Sequence, residues 1–230
     1  MHGSMNQLLK KVMIAVVGLF IFKPSNAQEK TLKAFSNFLY THNESSTGLS
    51  ESSESSLSFS PGLSLSIPHK QNNFHEIGIM NISYDRNKEK TGGDTQITSG
   101  AIEKDLLIRF RYDYNFSLSG SPGSKWKVFL GPSFSPYYAR NVFEPFISTQ
   151  FYKVNWAIGS HIALLARSIV ELSPKILLDI NVPVNLATLE FKYTREFNPN
   201  LPVSRQRVNE LSLEGLPSYF EFRVGLGVRI

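Results

Sequence analysis

One histidine, a run of serines and a set of paired charges are the residues of this 230-residue chain with the means for chemistry. His161 is the best candidate base, and it falls on the polar side of an alternating segment, as do Asp113 and Asp179 on theirs. Ser58, Ser60, Ser64 and Ser66 supply hydroxyls that an imidazole beside them could deprotonate, and the three residue types together would make a hydrolase. The same polar faces have a second use. Arg109, Arg111, Lys127, Lys153, Arg223 and Arg229 face the same way as Asp113, Asp179 and Glu221, and charges taken out of water must be paired. Those residues, with His161, are expected to interlock as an interior polar network. The absence of cysteine excludes disulfides, thiolate metal sites and a cysteine nucleophile. His42, His69 and His75 lack metal-ligand spacing, and no helix follows Gly92-Gly93 to hold a phosphate. The chain is therefore expected to carry no metal, no cofactor and no assigned catalytic residue.

The elements that position these residues are strands. Leu106, Ile108, Phe110, Tyr112, Tyr114 and Phe116 alternate with Leu107, Arg109, Arg111, Asp113 and Asn115, so one face is apolar and the other mostly polar. Leu57 to Ile67 alternates with serines, and Phe220, Phe222, Val224, Leu226, Val228 and Ile230 alternate with Glu221, Arg223, two glycines and Arg229. Five less regular segments follow the same rule. Leu32 to Tyr40 presents Leu32, Ala34, Phe38 and Tyr40, and Phe74 to Tyr84 presents Phe74, Gly78, Met80, Ile82 and Tyr84. Trp126 to Tyr138, Tyr152 to Leu164 and Ile176 to Leu186 complete the set. The total is eight strands, each near the ~9–11 residues that a tilted membrane strand needs.

Ahead of them, Lys10 and Lys11 precede an apolar run from Val12 to Phe22, and Lys23-Pro24-Ser25-Asn26-Ala27 follows it. That run would make a helix of only ~16 Å, too short to span a bilayer but right for a signal peptide over residues 1–27, cleaved before Gln28. Its loss leaves 21 bases against 19 acids, so the formal +5 of the whole chain becomes +2 and the case for a nucleic-acid partner goes with it.

Alternation fits both a soluble barrel, apolar within, and a membrane barrel, apolar without. Three features favour the membrane. Connections at 41–56, 85–105, 139–151 and 187–219 are long and those at 68–73, 117–125 and 165–175 short, as expected of extracellular loops and periplasmic turns. Aromatic residues sort to two depths: Phe74, Tyr114, Phe116 and Trp126 at the periplasmic end, and Tyr40, Tyr84, Tyr138, Tyr152 and Phe220 at the outer end. The eighth strand also runs to the last residue, Ile230. Pro61, Pro132, Pro136 and Pro183 each remove a ladder donor and are expected to mark bulges or shifted strand ends.

The signal peptide, the eight alternating segments and the terminal strand Tyr219-Phe220-Glu221-Phe222-Arg223-Val224-Gly225-Leu226-Gly227-Val228-Arg229-Ile230 resemble small bacterial outer-membrane β-barrels. The nearest types are OmpX, the OmpA transmembrane domain and porin-family barrels of Bacteroidetes. The resemblance implies an all-β, eight-stranded antiparallel up-and-down transmembrane barrel over 28–230, located in the cell outer membrane. It also implies a structural, surface-interaction or minor small-solute transport role. Partners would be outer-membrane lipids, the barrel-assembly machinery and an extracellular partner met through the long outer loops. Ile230 departs from that family's pattern, which ends in an aromatic. The alternative is a lipid A-modifying hydrolase built around His161, although Ser160-His161-Ile162-Ala163-Leu164 does not resemble the His-x-Ser-Asn motif of lipid A deacylase barrels. The Ser-rich stretch from Asn43 to Ser60 is expected to be a surface loop.

Overall fold

A computed structural model of the chain describes residues 29–47, 50–93, 96–118, 124–146, 150–215 and 219–230. The expected signal peptide lies outside them. Alternating side chains produce nine strands: β1 (Thr31–Thr47), β2 (Ser50–Pro68), β3 (Phe74–Gly93), β4 (Gln96–Ser117), β5 (Trp126–Pro145), β6 (Lys153–Glu171), β7 (Ile176–Glu196), β8 (Arg207–Gly215) and β9 (Tyr219–Arg229). Each pairs antiparallel with its sequence neighbour, apart from β8 and β9, which form one stave. Of these two, β9 pairs with β7 over Ile176–Asn181, and β8 pairs with it over Ala187–Arg195. Pairing of β1 with β9, carried to the last residue by Ile230 N–H donating to Lys30 O at 2.8 Å, closes an eight-stranded antiparallel barrel.

Closure requires the strands to tilt, and the register shows by how much. One row of paired residues runs Ile176, Val228, Leu32, Leu65, Ile77, Tyr112, Phe134 and Ile162, then returns to β7 at Ala187, eleven residues beyond its start. Every member is apolar or aromatic, so the row forms a spiral apolar belt on the outside. Leu63, Ile82, Ile158, Leu164 and Leu226 are among the large apolar side chains left exposed there.

Three sequence expectations change. The long outer connections are mostly strand: β1 and β2 continue to Thr47 and Ser50, β3 and β4 to Gly93 and Gln96, and β7 runs on to Glu196. Those extensions lie beyond the apolar belt, where neither face needs apolar residues, so hydrophobic alternation gives no sign of them. The Ser-rich stretch is accordingly part of a β1–β2 hairpin. The turn expected at 165–175 shrinks to 172–175 because β6 reaches Glu171.

Pro132 and Pro136 interrupt a ladder without shifting it, whereas ladders end near Pro61 and Pro183. The β4–β5 register is the same on both sides of Pro132 and Pro136, yet the pairs that would include them are missing. Pairing of β2 with β3 stops at Leu63, two residues from Pro61, and pairing of β7 with β9 stops at Asn181, two from Pro183. Where the β2–β3 ladder ends, Asn37 Nδ2 donates to the carbonyls of Ser60 (2.9 Å) and Met80 (3.1 Å). The bulge at Met80 in β3 lies across from Gly62 and Pro61, where that ladder stops, and further bulges occur at Leu186 in β7 and Thr98 in β4.

The Met80 bulge corrects the reading of β3. Phe74, Gly78 and Met80 point into the barrel with Glu76, and only beyond the bulge do Ile82 and Tyr84 turn outward. Phe74 is thus an interior residue and does not belong to the girdle with Phe116 and Trp126, which are exposed.

Candidate functional site

Inside the barrel, β-strand parity brings one side chain from every second position to a common axis, and those side chains stack in tiers. The end that holds the chain termini of the barrel, the near mouth, contains a cavity of about 410 Å³ rimmed by Lys127, Glu171 and Arg229. Its floor is apolar: Phe74, Phe129, Ile169 and Leu177 are buried together, with the Phe74 and Phe129 rings edge-on at 5.0 Å.

On this floor rests a fully buried ionic tier. Glu76 is its hub. It accepts from Lys33 Nζ (2.8 Å), Ser66 Oγ (2.8 Å), Arg167 Nη2 (2.8 Å) and Arg111 Nη2. Lys33 also reaches Asp179 Oδ2 at 2.5 Å, and Arg167 lies 3.2 Å from Asp179 Oδ1 and 3.4 Å from Asp113 Oδ2. Arg111 Nε lies 2.9 Å from Asp113 Oδ2. Asn115 accepts from Arg167 Nη1, and Asn181 donates to Asp179. The cations also cover aromatic faces: Lys33 and Arg167 sit over Phe74, and Arg111 over Phe35. A low-dielectric surround makes such pairs strong and makes the loss of any one partner costly.

A second tier spans the lumen from β4 to β9, which stand on opposite walls. Arg109 Nη2 donates to Glu221 Oε2 at 3.0 Å, and Arg223 Nε donates to Glu221 Oε1 at 2.8 Å. Above it, His161 Nδ1 lies 2.9 Å from Thr188 Oγ1 and its ring stacks on Tyr137 at 4.9 Å, while the Tyr137 hydroxyl donates to Glu190. Gly159 allows this stack, since a Cβ there would lie 2.5 Å from the Tyr137 ring. Gly159→Ala is therefore expected to destabilise the barrel by about 1–3 kcal/mol, seen as a lower urea midpoint, by forcing Tyr137 off His161.

Of the residues expected in the interior network, Arg111, Asp113 and Asp179 join the lower tier, and Arg109, Glu221 and Arg223 make the upper one. His161 lies above both. Lys153 lines a separate cavity of about 490 Å³ toward the far mouth with Asp105, Asn141, Asn155, Lys192 and Thr194. Arg229 is at the near rim, paired with Glu171 and donating to Pro174 O at 2.9 Å, apart from both tiers. The serines expected to partner His161 are on β2, and His161 is on β6, four staves away on the opposite wall. Among the described residues no group of three or more His, Asp or Glu residues could hold a metal ion.

Three central residues are missing from the expected network: Lys33, Glu76 and Arg167. Arg167 falls in a segment whose alternation suggests a turn. Glu76 is hidden by the bulge, although a glutamate interrupting the supposed lipid face Phe74-Gly78-Met80 is the available signal. Lys33 alternates correctly with Leu32 and Ala34, and that alternation is enough to place it inside.

These features define a class: a closed eight-stranded antiparallel barrel, apolar on the outside and ion-paired within. No protein-family model matches the chain, and no curated protein matches it. Solved structures do. The chain is similar to Neisserial surface protein A, NspA, at 16% identity over 90% of this chain and 100% of that one, with a TM-score of 0.42. It is similar to a major outer membrane protein from Thermus thermophilus at 9% identity over 87% and 99%, with a TM-score of 0.46. Ail, the attachment invasion locus protein of Yersinia pestis, matches at 9% identity over 88% and 99%, with a TM-score of 0.36. Nothing about function follows from likeness at these identities.

Proposed function

We propose that the chain is an exported outer-membrane β-barrel protein that is closed to bulk solute, non-catalytic, and acts structurally and through its cell-surface hairpins. The observation that carries this reading is inverted polarity. Lys33, Glu76, Arg111, Asp113, Arg167, Asp179, Glu221 and Arg223 are each at most 2% exposed, while Ile82, Trp126, Ile158 and Leu226 are among the apolar residues more than half exposed. Water as the outer solvent would penalise that arrangement on both counts; a lipid exterior favours it.

The near mouth then faces the periplasm and the hairpins face outward. The β7–β8 hairpin carries Leu189, Phe191, Leu211 and Leu213 exposed on one side, which supports contact with an extracellular partner. Lipids would cover the belt, and insertion would use the barrel-assembly machinery. Passage of small solutes would require the ionic tiers to part. A lipid A hydrolase around His161 is the weaker reading, because the β2 serines stand across the lumen from it. Lipid A mass spectra are expected to be identical with and without the gene.

Fractionation with gel mobility tests the main reading. The protein is expected in the outer-membrane fraction, with a mobility that changes on boiling. Recovery from the aqueous periplasm with no heat-dependent shift would overturn it.

A further inference from the structure

The interior is electrically uneven. In the lower tier, among the described residues, Lys33, Arg111 and Arg167 face Glu76, Asp113 and Asp179, so formal charges cancel. The group above both tiers is matched as well, with Lys192 2.8 Å from Glu190. Between them Arg109 and Arg223 share a single carboxylate, Glu221. Among the described residues one positive charge is in surplus in the middle of the lumen.

Hydrogen bonding points to the same place. Among the described residues Arg223 Nη1, Arg111 Nη1 and Arg109 Nε have no acceptor, and the first two belong to side chains at most 1% exposed. Arg111 and Arg223 are both cations buried in the lumen, each 1% exposed. A guanidinium cannot shed its proton, and an acceptor that carries negative charge would satisfy the donors and offset the surplus together.

The geometry points to a binding site for a small monovalent anion, of chloride size, between Arg109, Arg111 and Arg223 beside Glu221. Arg109 and Arg111 come from β4 and Arg223 from β9, so the anion ties opposite walls together. Smallness follows from packing: Arg111 and Arg223 are each only 1% exposed, so their surroundings leave room for a small ion at most. Entry is from the far side, where the Arg109 side chain keeps 14% exposure. The site rests on the lumen alone and does not depend on the outer-membrane assignment.

The test uses the full folded chain in detergent, melted at constant ionic strength while chloride replaces gluconate, an anion too bulky for the site. Chloride is expected to raise the Tm by about 3 °C for each tenfold increase above its Kd. Arg109→Gln, which balances the tier, abolishes that dependence. Glu221→Gln, which doubles the surplus, moves the onset of that dependence to lower chloride even if the barrel becomes less stable. Equal melting in chloride and gluconate, or an unchanged dependence in Arg109→Gln, overturns the proposal. Should the variants fail to fold, crystals of the unaltered protein grown in bromide decide. An anomalous peak within hydrogen-bonding distance of Arg223 Nη1 supports the site, and ordered water alone at that position sinks it.

Discussion

Replacing Glu76 by Gln is expected to destabilise the barrel by about 3–5 kcal/mol, the largest effect of any single interior change. Its carboxylate accepts from Lys33, Arg111 and Arg167 at once and from the Ser66 hydroxyl. Without its charge, three buried cations would face only Asp113 and Asp179. No water-exposed route exists for the excess, because all the residues of the tier are essentially inaccessible. Arg229→Gln is the control: its pair with Glu171 is at the rim, its side chain is 26% exposed, and a loss of about 0–1 kcal/mol is expected. Urea unfolding of the folded barrel, followed by tryptophan fluorescence, measures both. Lys33→Met in the Glu76→Gln background should recover part of the loss, since it returns the tier to two cations and two anions. If Glu76→Gln costs no more than Arg229→Gln, the tier fills space without holding the walls together.

The fold is legible wherever a strand crosses the apolar belt. There each outward position must be apolar and each inward one small or polar, so β4, β9 and the outer face of β2 can be read residue by residue. Beyond the belt both faces are wetted and the constraint disappears, so the hairpin extensions over 41–56, 85–105 and 187–219 look like loops in sequence. The site is legible on straight strands and obscured on bent ones. Arg109, Arg111 and Asp113 on β4, and Glu221 and Arg223 on β9, follow from parity alone. Glu76 does not, because the Met80 bulge adds one residue and exchanges the faces of β3 below it. The four prolines are the visible irregularities, yet Pro132 and Pro136 only omit bonds and leave the register intact. The bulges at Met80, Thr98 and Leu186 have no proline at the bulged residue to mark them in its own strand.

Leu164→Arg is expected to cost about 2 kcal/mol or more in a lipid bilayer, whereas Leu211→Arg is expected to stay within about 0.5 kcal/mol. Both leucines point outward and both are substantially exposed, so burial within the protein does not distinguish them. Depth does. Leu164 stands seven residues from the near end of β6, which at a rise of about 3.3 Å per residue and a tilt of about 40° places it ~18 Å from the rim, inside a belt ~25 Å tall. Leu211 pairs with Phe191, which stands fifteen residues along β7 from its near-end residue Ile176, ~38 Å by the same reckoning and clear of hydrocarbon. Chemical unfolding of each variant in phospholipid vesicles gives the two costs. In water both arginines would sit on an exposed surface and cost nothing, so only a lipid exterior predicts a penalty at Leu164 and none at Leu211. Equal costs would leave the inverted polarity of the barrel without the solvent that accounts for it. Unequal costs in the expected order would also assign Leu189, Phe191, Leu211 and Leu213 to an aqueous surface, where an exposed apolar row is a place for another protein to bind.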